Sequence, residues 1–580
     1  MEPSAISLQF VTGQQMDEVL DLWKSDLELD EGRKNTFLLN QSLKEKDKRN
    51  PFYKWLIKNN EPLPIRSILK IIRRRHDGFG IFEHPYLDLE FWDSYSGFYG
   101  TSFSQSERAC RRLHLFKGKE TFGQQAVDLL LGGCTEKEIE ALGLEYIGYS
   151  VFRPIPTNVI GRTGIAFDTR PSWQFNIDPL LNNEQGYPIL KAKQKCFVTL
   201  LNARFGIETS EFMQQDPQLG QCASASLWVA SNIGSKNFGA RHVKFPSITK
   251  NAVGPKLPNI PLSYAPIDED SGLTNTEIKN ALSAIGTMYQ SESPRFSEEN
   301  SLATSVRLNQ FIYSFVESGL PVILCMHSLS DRIGHAVAVI GHFLPTKINN
   351  NNIITLDNIT KEKIHSRHTV VSNYINIYYV HDDCYGPFNR LSLHLKKSPL
   401  FAFDRNPRLK VSLGRRKEHL TLIEAIVPVH FRVRNAAWDS LPIVITFFED
   451  IYGNKLDPST IFLWRSFLVS GSEFKQTLRS DKRNFPSEFQ STYGRVHLPK
   501  YMWVHEFSET TREGISDCFP MDGKRKIDGE FLVDATTSKN DVRILAWRVA
   551  GNMWAPHSGV VVDLSTDELP CFNPSDLNNI

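Results

Sequence analysis

Apolar and polar positions recur with different periods along the chain, and these periods separate it into regions. Residues 1–95 carry apolar side chains at helical spacing and are predicted to be mostly helical. Helices are predicted there at 16–27, 36–46 and 64–75. Residues 96–205 have a mixed α/β pattern, in which a capping box at Thr135 and Glu138 starts a helix. Strands are predicted to follow it at 146–154, 159–167 and 196–202.

Residues 206–405 place helices before strands, which predicts an α+β domain with an antiparallel sheet. A polar loop leads into a helix that Gly234 can end, and a capping box at Thr274 and Glu277 opens a second helix. A third helix is predicted at 302–318, and strands are predicted at 322–326, 334–342 and 378–383. A polar insertion at 345–372 separates the last two strands.

The remaining region, 415–580, is predicted to be a further mixed α/β domain. A helix is predicted at 459–479, and strands are predicted at 420–430, 501–507, 529–535 and 542–549. Because single cores stop growing at about 250–300 residues, a chain of 580 residues is expected to form several domains.

Composition excludes some classes of function without identifying one. Hydrophobic residues make up 41% of the chain. Because the net charge is only +1, the overall charge gives no indication of a nucleic acid or an acidic partner. We expect no secretion signal, because the N-terminus lacks a basic start followed by an apolar run, and no apolar stretch is long enough to span a bilayer. The eight cysteines include no Cys-x-x-Cys pair, so we expect a cytoplasmic protein with reduced thiols, without a metal site or cofactor.

Cys222 is the first candidate for chemistry. It stands where the polar loop at 214–221 turns into a helix, and Pro217 and Gly220 favour turns before it. A thiolate at a helix N-terminus is stabilised by the unpaired N–H groups and the helix dipole. The alternative is that Cys222 is one buried structural cysteine among eight.

Two later strands supply the partners that a cysteine nucleophile needs. His335 stands at the entrance of the strand at 334–342, and Asp382 stands at the end of the strand at 378–383. An imidazole can move the proton between the thiol and the leaving group, and a carboxylate can hold the imidazole in one orientation and tautomer. The order cysteine, histidine, acid is that of a papain-like site.

Together these pieces resemble the papain-like cysteine peptidases, and within them the branch of the bacteriocin-leader (double-glycine) peptidases. The matching pieces are the glutamine-containing loop before Cys222, Gly-His-Ala-Val-Ala-Val-Ile-Gly at 334–341, and Tyr-x-x-His-Asp-Asp at 378–383 followed by Gly386-Pro387. The resemblance covers residues from about 206 to 400 and implies a papain-like core flanked by N-terminal and C-terminal mixed α/β domains. The Cys-Gly-Ser-Cys-Trp signature of papain is absent, which favours the distant branch.

The resemblance also selects among neighbouring residues. It favours His335 over His327, His342 and His381, and a regular strand would point positions 335 and 342 to opposite faces. It favours Asp382 as the acid, although Asp383 is adjacent. A side-chain amide before the nucleophile is expected to bind the oxyanion, and Gln215 matches best, with Gln214, Gln218 and Gln221 also available.

The expected function is therefore that of a thiol hydrolase that cleaves peptide or isopeptide bonds in a protein or peptide substrate by Cys-His-Asp catalysis. One alternative is an acyl transferase of the transglutaminase type, which shares the arrangement. Another is a papain-like module that binds a partner without catalysis. Nucleic acid is not expected as a partner, and the pattern does not predict an oligomeric state.

Overall fold

A computed structural model of the chain describes residues 6–12, 68, 78–97, 108–155, 160–167, 186–215, 222–238, 243–244, 247–248, 251–252, 273–294, 301–328, 334–345, 354–357, 366–394, 410–413, 419–479, 487–511, 514–518, 527–549, 552–554 and 560–563. The helices predicted at 16–27 and 36–46 lie outside these residues. Of the helix predicted at 64–75, only Ile68 is described, and it is helical and buried.

The first sheet is antiparallel and has five strands in sequential order. Its strands are β1 (Ser7–Thr12), β2 (Gly78–Tyr86), β3 (Cys110–Lys117), β4 (Glu145–Phe152) and β5 (Ile160–Ile165). Its helices are α1 (Leu89–Gly97), α2 (Gly123–Leu131) and α3 (Glu136–Ala141). The predicted capping box at Thr135 and Glu138 is confirmed, and Gly143 follows α3 with a φ of 75°, in the left-handed region that favours glycine.

The second sheet has eight strands in the order β10-β11-β13-β14-β15-β16-β9, with β6 added to β11. β10 pairs with both β11 and β16, so this path closes into a ring. The strands are β6 (Gly186–Leu190), β9 (Met288–Glu292), β10 (Val322–Ser328), β11 (Gly334–Pro345), β13 (Ile377–Asp382), β14 (Gly386–His394), β15 (Lys410–Leu413) and β16 (His419–Val429). A separate hairpin consists of β7 (Gln194–Leu200) and β8 (Ala203–Thr209).

Three helices accompany the second sheet: α4 (Cys222–Phe238), α5 (Asn275–Ala284) and α6 (Ser301–Glu317). The capping box at Thr274 and Glu277 is confirmed at the start of α5. One core cluster joins α4 and α5 to the sheet through Ala336, Ala338 and Ile340. Another joins α6 to the sheet through Val337 and Val339. Successive side chains of β11 thus pack alternately into two cores, one on each face of the sheet.

The third sheet has seven strands in the order β12-β17-β18-β19-β20-β21, with β22 added to β20. The strands are β12 (His368–Val370), β17 (Ile461–Ser470), β18 (Tyr501–Thr510), β19 (Gly529–Asp534), β20 (Asp541–Val549), β21 (Asn552–Trp554) and β22 (Val560–Asp563). The helices are α7 (Ala437–Tyr452), α8 (Gly471–Arg479) and α9 (Ser487–Arg495). Single 3₁₀ turns stand at Glu120–Phe122, Val371–Tyr374, Gly453–Lys455 and Ile515–Cys518.

The class is α+β, as predicted: within the described ranges, nine helices accompany sheets that are mostly antiparallel. The prediction of a helix at 459–479 is wrong over Ile461–Ser470, which form the strand β17, and right over α8. An apolar run of this length fits a buried strand as well as a buried helix, and its pairing with β18 decides. In the part of the chain that the structure describes, no helix is both long and apolar enough to cross a membrane.

Strand pairing crosses the predicted boundaries between regions. β1 and β2 precede residue 95 and share a sheet with β3, β4 and β5. β6 adds to the sheet of the candidate catalytic region, and β16, from the C-terminal region, closes that sheet against β10. β12, from the insertion at 345–372, pairs in parallel with β17. These contacts join residues far apart in the chain, which local patterns cannot reveal.

Candidate functional site

Cys222 is the first residue of α4, as the sequence predicted. Its side chain is half-buried, and its sulfur accepts a hydrogen bond from the backbone N–H of Ala336 at 3.4 Å. The small residues Ala223, Ser224 and Ala225 that follow it are all buried, so the helix start can approach the backbone of β11 closely. A sulfur held by an N–H donor at a helix N-terminus is in a setting that stabilises a thiolate.

His335 lies at the start of β11, one residue before that donor. Its Nε2 is 3.3 Å from Oδ1 of Asp382, and the ring is buried. Burial by itself lowers the pKa of His335, but the Asp382 carboxylate and the Cys222 sulfur together raise that pKa well above its usual value. The imidazole therefore favours its protonated form, which is the proton donor that a thiolate needs as a partner.

Asp382 ends β13 and is fully buried. Its Oδ1 accepts the backbone N–H of Cys384 at 2.9 Å, and the carbonyl of Asp382 accepts the N–H of Tyr385 at 3.2 Å. These two bonds form the tight turn before Gly386, and they fix the orientation of the carboxylate that faces His335. The structure thus brings together the three residues that the sequence singled out, Cys222, His335 and Asp382; their catalytic roles stay predictions.

Asp383 is the second buried carboxyl group beside the imidazole. Ligand atoms of His335, Asp383 and Cys384 all lie within 4.8 Å of one another. Burial raises the pKa of Asp383, the positive charge of His335 lowers it, and the charge of Asp382 raises it, with a result of about 7. Of the two carboxyl groups, that of Asp382 forms the ion pair with the imidazole of His335, at 3.3 Å.

The competing histidines have other partners. Nε2 of His342 pairs with Oε2 of Glu317 at 2.6 Å, on the side of α6. His381 lies 3.0 Å from the carbonyl oxygen of Ser210, and burial lowers the pKa of His381 to about 3. Both are bound within the structure rather than beside Cys222.

β11 is not a regular strand, so the predicted alternation of its side chains does not separate His335 from His342. Its register against β13 shifts between Val339 and Gly341. Before the shift, even-numbered residues such as Ala338 face the core beside α4, whereas after the shift the odd-numbered residue Phe343 faces this core. Gly341 is required at the bulge, since a Cβ there would stand 2.3 Å from the carbonyl oxygen of Ile189 on β6. The two histidines are separated by their partners and not by a simple alternation.

The glutamines before Cys222 are only partly within the described residues. Gln214 is buried, and its Oε1 accepts the backbone N–H of Ile160 at 3.2 Å, which gives it a structural role. Gln215 is half-buried at the end of a described segment. Gln218 and Gln221 lie outside the described residues. The assignment of Gln215 to the oxyanion site therefore stays a prediction.

One residue beside the site was not selected from the sequence. Cys384 is half-buried, and its sulfur lies 3.8 Å from Oδ2 of Asp383. The signal was present, because Cys384 follows two aspartates directly at a strand end. Its place beside His335 depends on the turn after β13, and no spacing rule for metal or redox motifs covers that arrangement.

Comparison of the chain with models of known protein families and with curated proteins finds no match.

Proposed function

We propose that the protein is a thiol hydrolase that cleaves peptide or isopeptide bonds, with Cys222 as nucleophile, His335 as proton carrier and Asp382 as the orienting acid. One observation carries the proposal. The sulfur of a cysteine at a helix start accepts a hydrogen bond from a backbone N–H, and the same sulfur raises the pKa of a buried histidine that faces a carboxylate. A structural thiol requires none of these partners.

The sulfur of Cys222 attacks the carbonyl carbon, and the carbonyl π electrons move to the oxygen. Because Nε2 of His335 is turned to Asp382, Nδ1 is the nitrogen left for the sulfur and the leaving group. His335 gives its proton to the leaving amine as the carbon–nitrogen bond breaks, and a thioester with Cys222 remains. Water then attacks the thioester, His335 takes the proton of the water, and the carbon–sulfur bond breaks to release the acid.

Asp382 supports both steps without giving up a proton. Its charge stabilises the imidazolium, and the N–H bond from Cys384 holds its carboxylate in place. Gln215 and the backbone N–H of Cys222 are the donors proposed for the oxyanion. The papain-like core proposed for these elements consists of α4 and the strands β10, β11 and β13.

The state of the thiols supports a cytoplasmic location. None of the seven cysteines among the described residues forms a disulfide, and five of them are buried: Cys110, Cys134, Cys196, Cys325 and Cys518. Proteins of oxidising compartments commonly pair their cysteines. A reducing compartment also keeps a nucleophilic Cys222 active.

The test is the rate of alkylation of individual cysteines by iodoacetamide, followed by mass spectrometry. We expect Cys222 to react faster than Cys384, which is also half-buried and serves as an internal control. His335→Gln should slow the reaction of Cys222 near neutral pH, because it removes the cation that stabilises the thiolate, whereas His342→Gln should leave the rate nearly unchanged. Equal alkylation rates of Cys222 in the wild type and in His335→Gln would refute the proposal and favour a binding module without catalysis.

Hydrolysis and acyl transfer are separated by adding a primary amine to the reaction. A hydrolase releases a free acid even at high amine concentration, whereas an acyl transferase yields mainly the amide. Cys222→Ala is the control for both products, since it removes the nucleophile and puts the smallest helix-compatible side chain at the start of α4. Product formation by a folded Cys222→Ala protein would exclude the thiol mechanism.

A further inference from the structure

The turn between β13 and β14 gathers metal-binding groups that the proposed hydrolysis does not use. Asp383 and Cys384 stand in this turn, and each offers a ligand atom within 4.8 Å of the other and of a ring nitrogen of His335. The three residue types are an imidazole, a carboxylate and a thiol. This combination suits Zn²⁺, which binds nitrogen, oxygen and sulfur ligands in a tetrahedron.

A second observation points to a cation in the same place. Oδ1 of Asp383 is buried and has no hydrogen-bond partner among the described residues, and the buried Nε2 of His335 faces the Asp382 carboxylate at 3.3 Å. The exposed fractions of these residues are 4% and 9%, so both are at least nine-tenths buried. Buried polar atoms normally have a hydrogen-bond partner, and a bound metal ion can take the place of that partner.

We propose that His335, Asp383 and Cys384 bind one Zn²⁺ ion. The thiol of Cys384 loses its proton to solvent as the zinc–sulfur bond forms, and His335 binds through a nitrogen that has no proton. The fourth position is left to water or to the sulfur of Cys222, which already interacts with His335.

The geometry requires little movement. Zinc bonds of about 2.0–2.3 Å in a tetrahedron put ligand atoms about 3.3–3.8 Å apart, and the three atoms are already within 4.8 Å. Asp383 and Cys384 follow each other in one turn that the N–H bonds to Asp382 hold in shape. Cys384 is half-buried, so the ion has a path from solvent. Charge also favours the ion, because Asp382 and Asp383 bring two buried carboxyl groups to one imidazole.

A zinc ion at this site blocks the proposed reaction, because His335 cannot carry a proton while it binds a metal. The binding of the ion stands on the ligand geometry, and only this inhibition rests on the proposed function. Zn²⁺ would act as a reversible inhibitor that a chelator removes.

The experiment uses the full-length Cys222→Ala protein, so that binding is measured without the nucleophile and without turnover. Zinc affinity is measured by competition with a chromophoric chelator, and Co²⁺ is added separately as a spectroscopic probe. We expect one tight site and a near-ultraviolet charge-transfer band from a cobalt–thiolate bond. Loss of a residue that hydrogen-bonds to a metal ligand costs about 10- to 100-fold in metal affinity. Loss of a ligand itself, in Cys384→Ser or Asp383→Asn, should therefore weaken zinc binding at least as much.

Cys134→Ser in the same background is the matched control, because Cys134 is a free cysteine remote from this turn in the chain. It should leave zinc affinity and the cobalt band unchanged. Zinc affinity in Cys384→Ser equal to that of its parent, or a cobalt band that survives this change, overturns the site. If zinc binds as described but fails to slow alkylation of Cys222 in the wild type, the site stands and the inhibition is refuted.

Discussion

The two adjacent aspartates allow the acid assignment to be tested by a matched pair of changes, Asp382→Asn and Asp383→Asn. Asparagine at 382 keeps an oxygen that can accept the N–H of Cys384, so the turn is preserved while the charge is removed. The first change should lower the pKa of His335 and the rate of hydrolysis strongly. The second should change both far less.

The magnitude follows from the distance between the charges. At the 3.3 Å that separates Nε2 of His335 from Oδ1 of Asp382, two unit charges attract by about 5 kcal/mol at an effective dielectric constant of about 20 and by about 1.3 kcal/mol in bulk water. An intermediate loss of about 3 kcal/mol corresponds to about a hundredfold in rate. Asp382→Asn should therefore lower the pKa of His335, because it removes the carboxylate charge that raises this pKa, and should lower turnover by about a hundredfold.

Asp383 contributes less because its carboxyl group, with a pKa of about 7, is only partly charged near neutrality. We expect Asp383→Asn to change turnover by no more than about threefold, as the loss of a weaker and partial charge.

Two measurements check this pair. The imidazole titration of His335 is followed by NMR on protein with isotope-labelled histidine, and the signal is assigned with His335→Gln. Turnover is followed with a library of fluorogenic peptides. A large loss in Asp383→Asn with a small loss in Asp382→Asn would exchange the two roles. An unchanged His335 titration in both variants would refute the electrostatic reasoning itself.

Three further predictions concern other parts of the site and its support. Gln215→Ala should lower turnover by about a hundredfold with little change in substrate affinity, as for loss of an oxyanion donor, while Gln218→Ala should be milder; the reverse order in a kinetic comparison would move the oxyanion site. Glu317→Gln should lower the free energy of unfolding by about 3 kcal/mol in urea titrations, because it removes the buried carboxylate that pairs with Arg465 and Lys191 and leaves Arg465 with Glu506 alone, and a loss below about 1 kcal/mol would contradict this. The raised pKa of His335 means that the folded chain keeps a proton on this imidazole at pH values above 6.5, where the unfolded chain releases it. The resulting contribution to stability is complete below a pH of 6.5 and is lost as the pH rises through the pKa of the folded state. Asp382→Asn should flatten that decline, which thermal unfolding at several pH values can measure.

Local features were readable from the sequence because they depend on near neighbours. The capping boxes at Thr135 and Thr274 start helices as predicted, since both partners of each box stand within one turn. Cys222 opens α4 because turn-forming residues precede it and an uninterrupted helical run follows. His335 and Asp382 were placed at opposite ends of their strands by the same kind of local pattern.

Features that depend on distant contacts were decided by the tertiary structure. The residues Ile461–Ser470 form a strand because they pair with β18, whereas their apolar pattern alone is equally compatible with a buried helix. Glycine is required at position 341 by the carbonyl of Ile189, far away in the chain, and the register shift beside it breaks the regular alternation of side chains that the sequence predicted for this strand.

The chemistry of the site divides in the same way. The sequence alone determined which residue types could act as nucleophile, proton carrier and acid, and in what order they occur along the chain. Only the tertiary structure decided that Cys222 meets Ala336, that Nε2 of His335 meets Asp382, and that Asp383 and Cys384 turn back toward the same imidazole. The physical reason is that hydrogen bonds and charges act over a few ångströms in space, whereas the positions that they join here are brought together only when the strands pair and α4 packs on them.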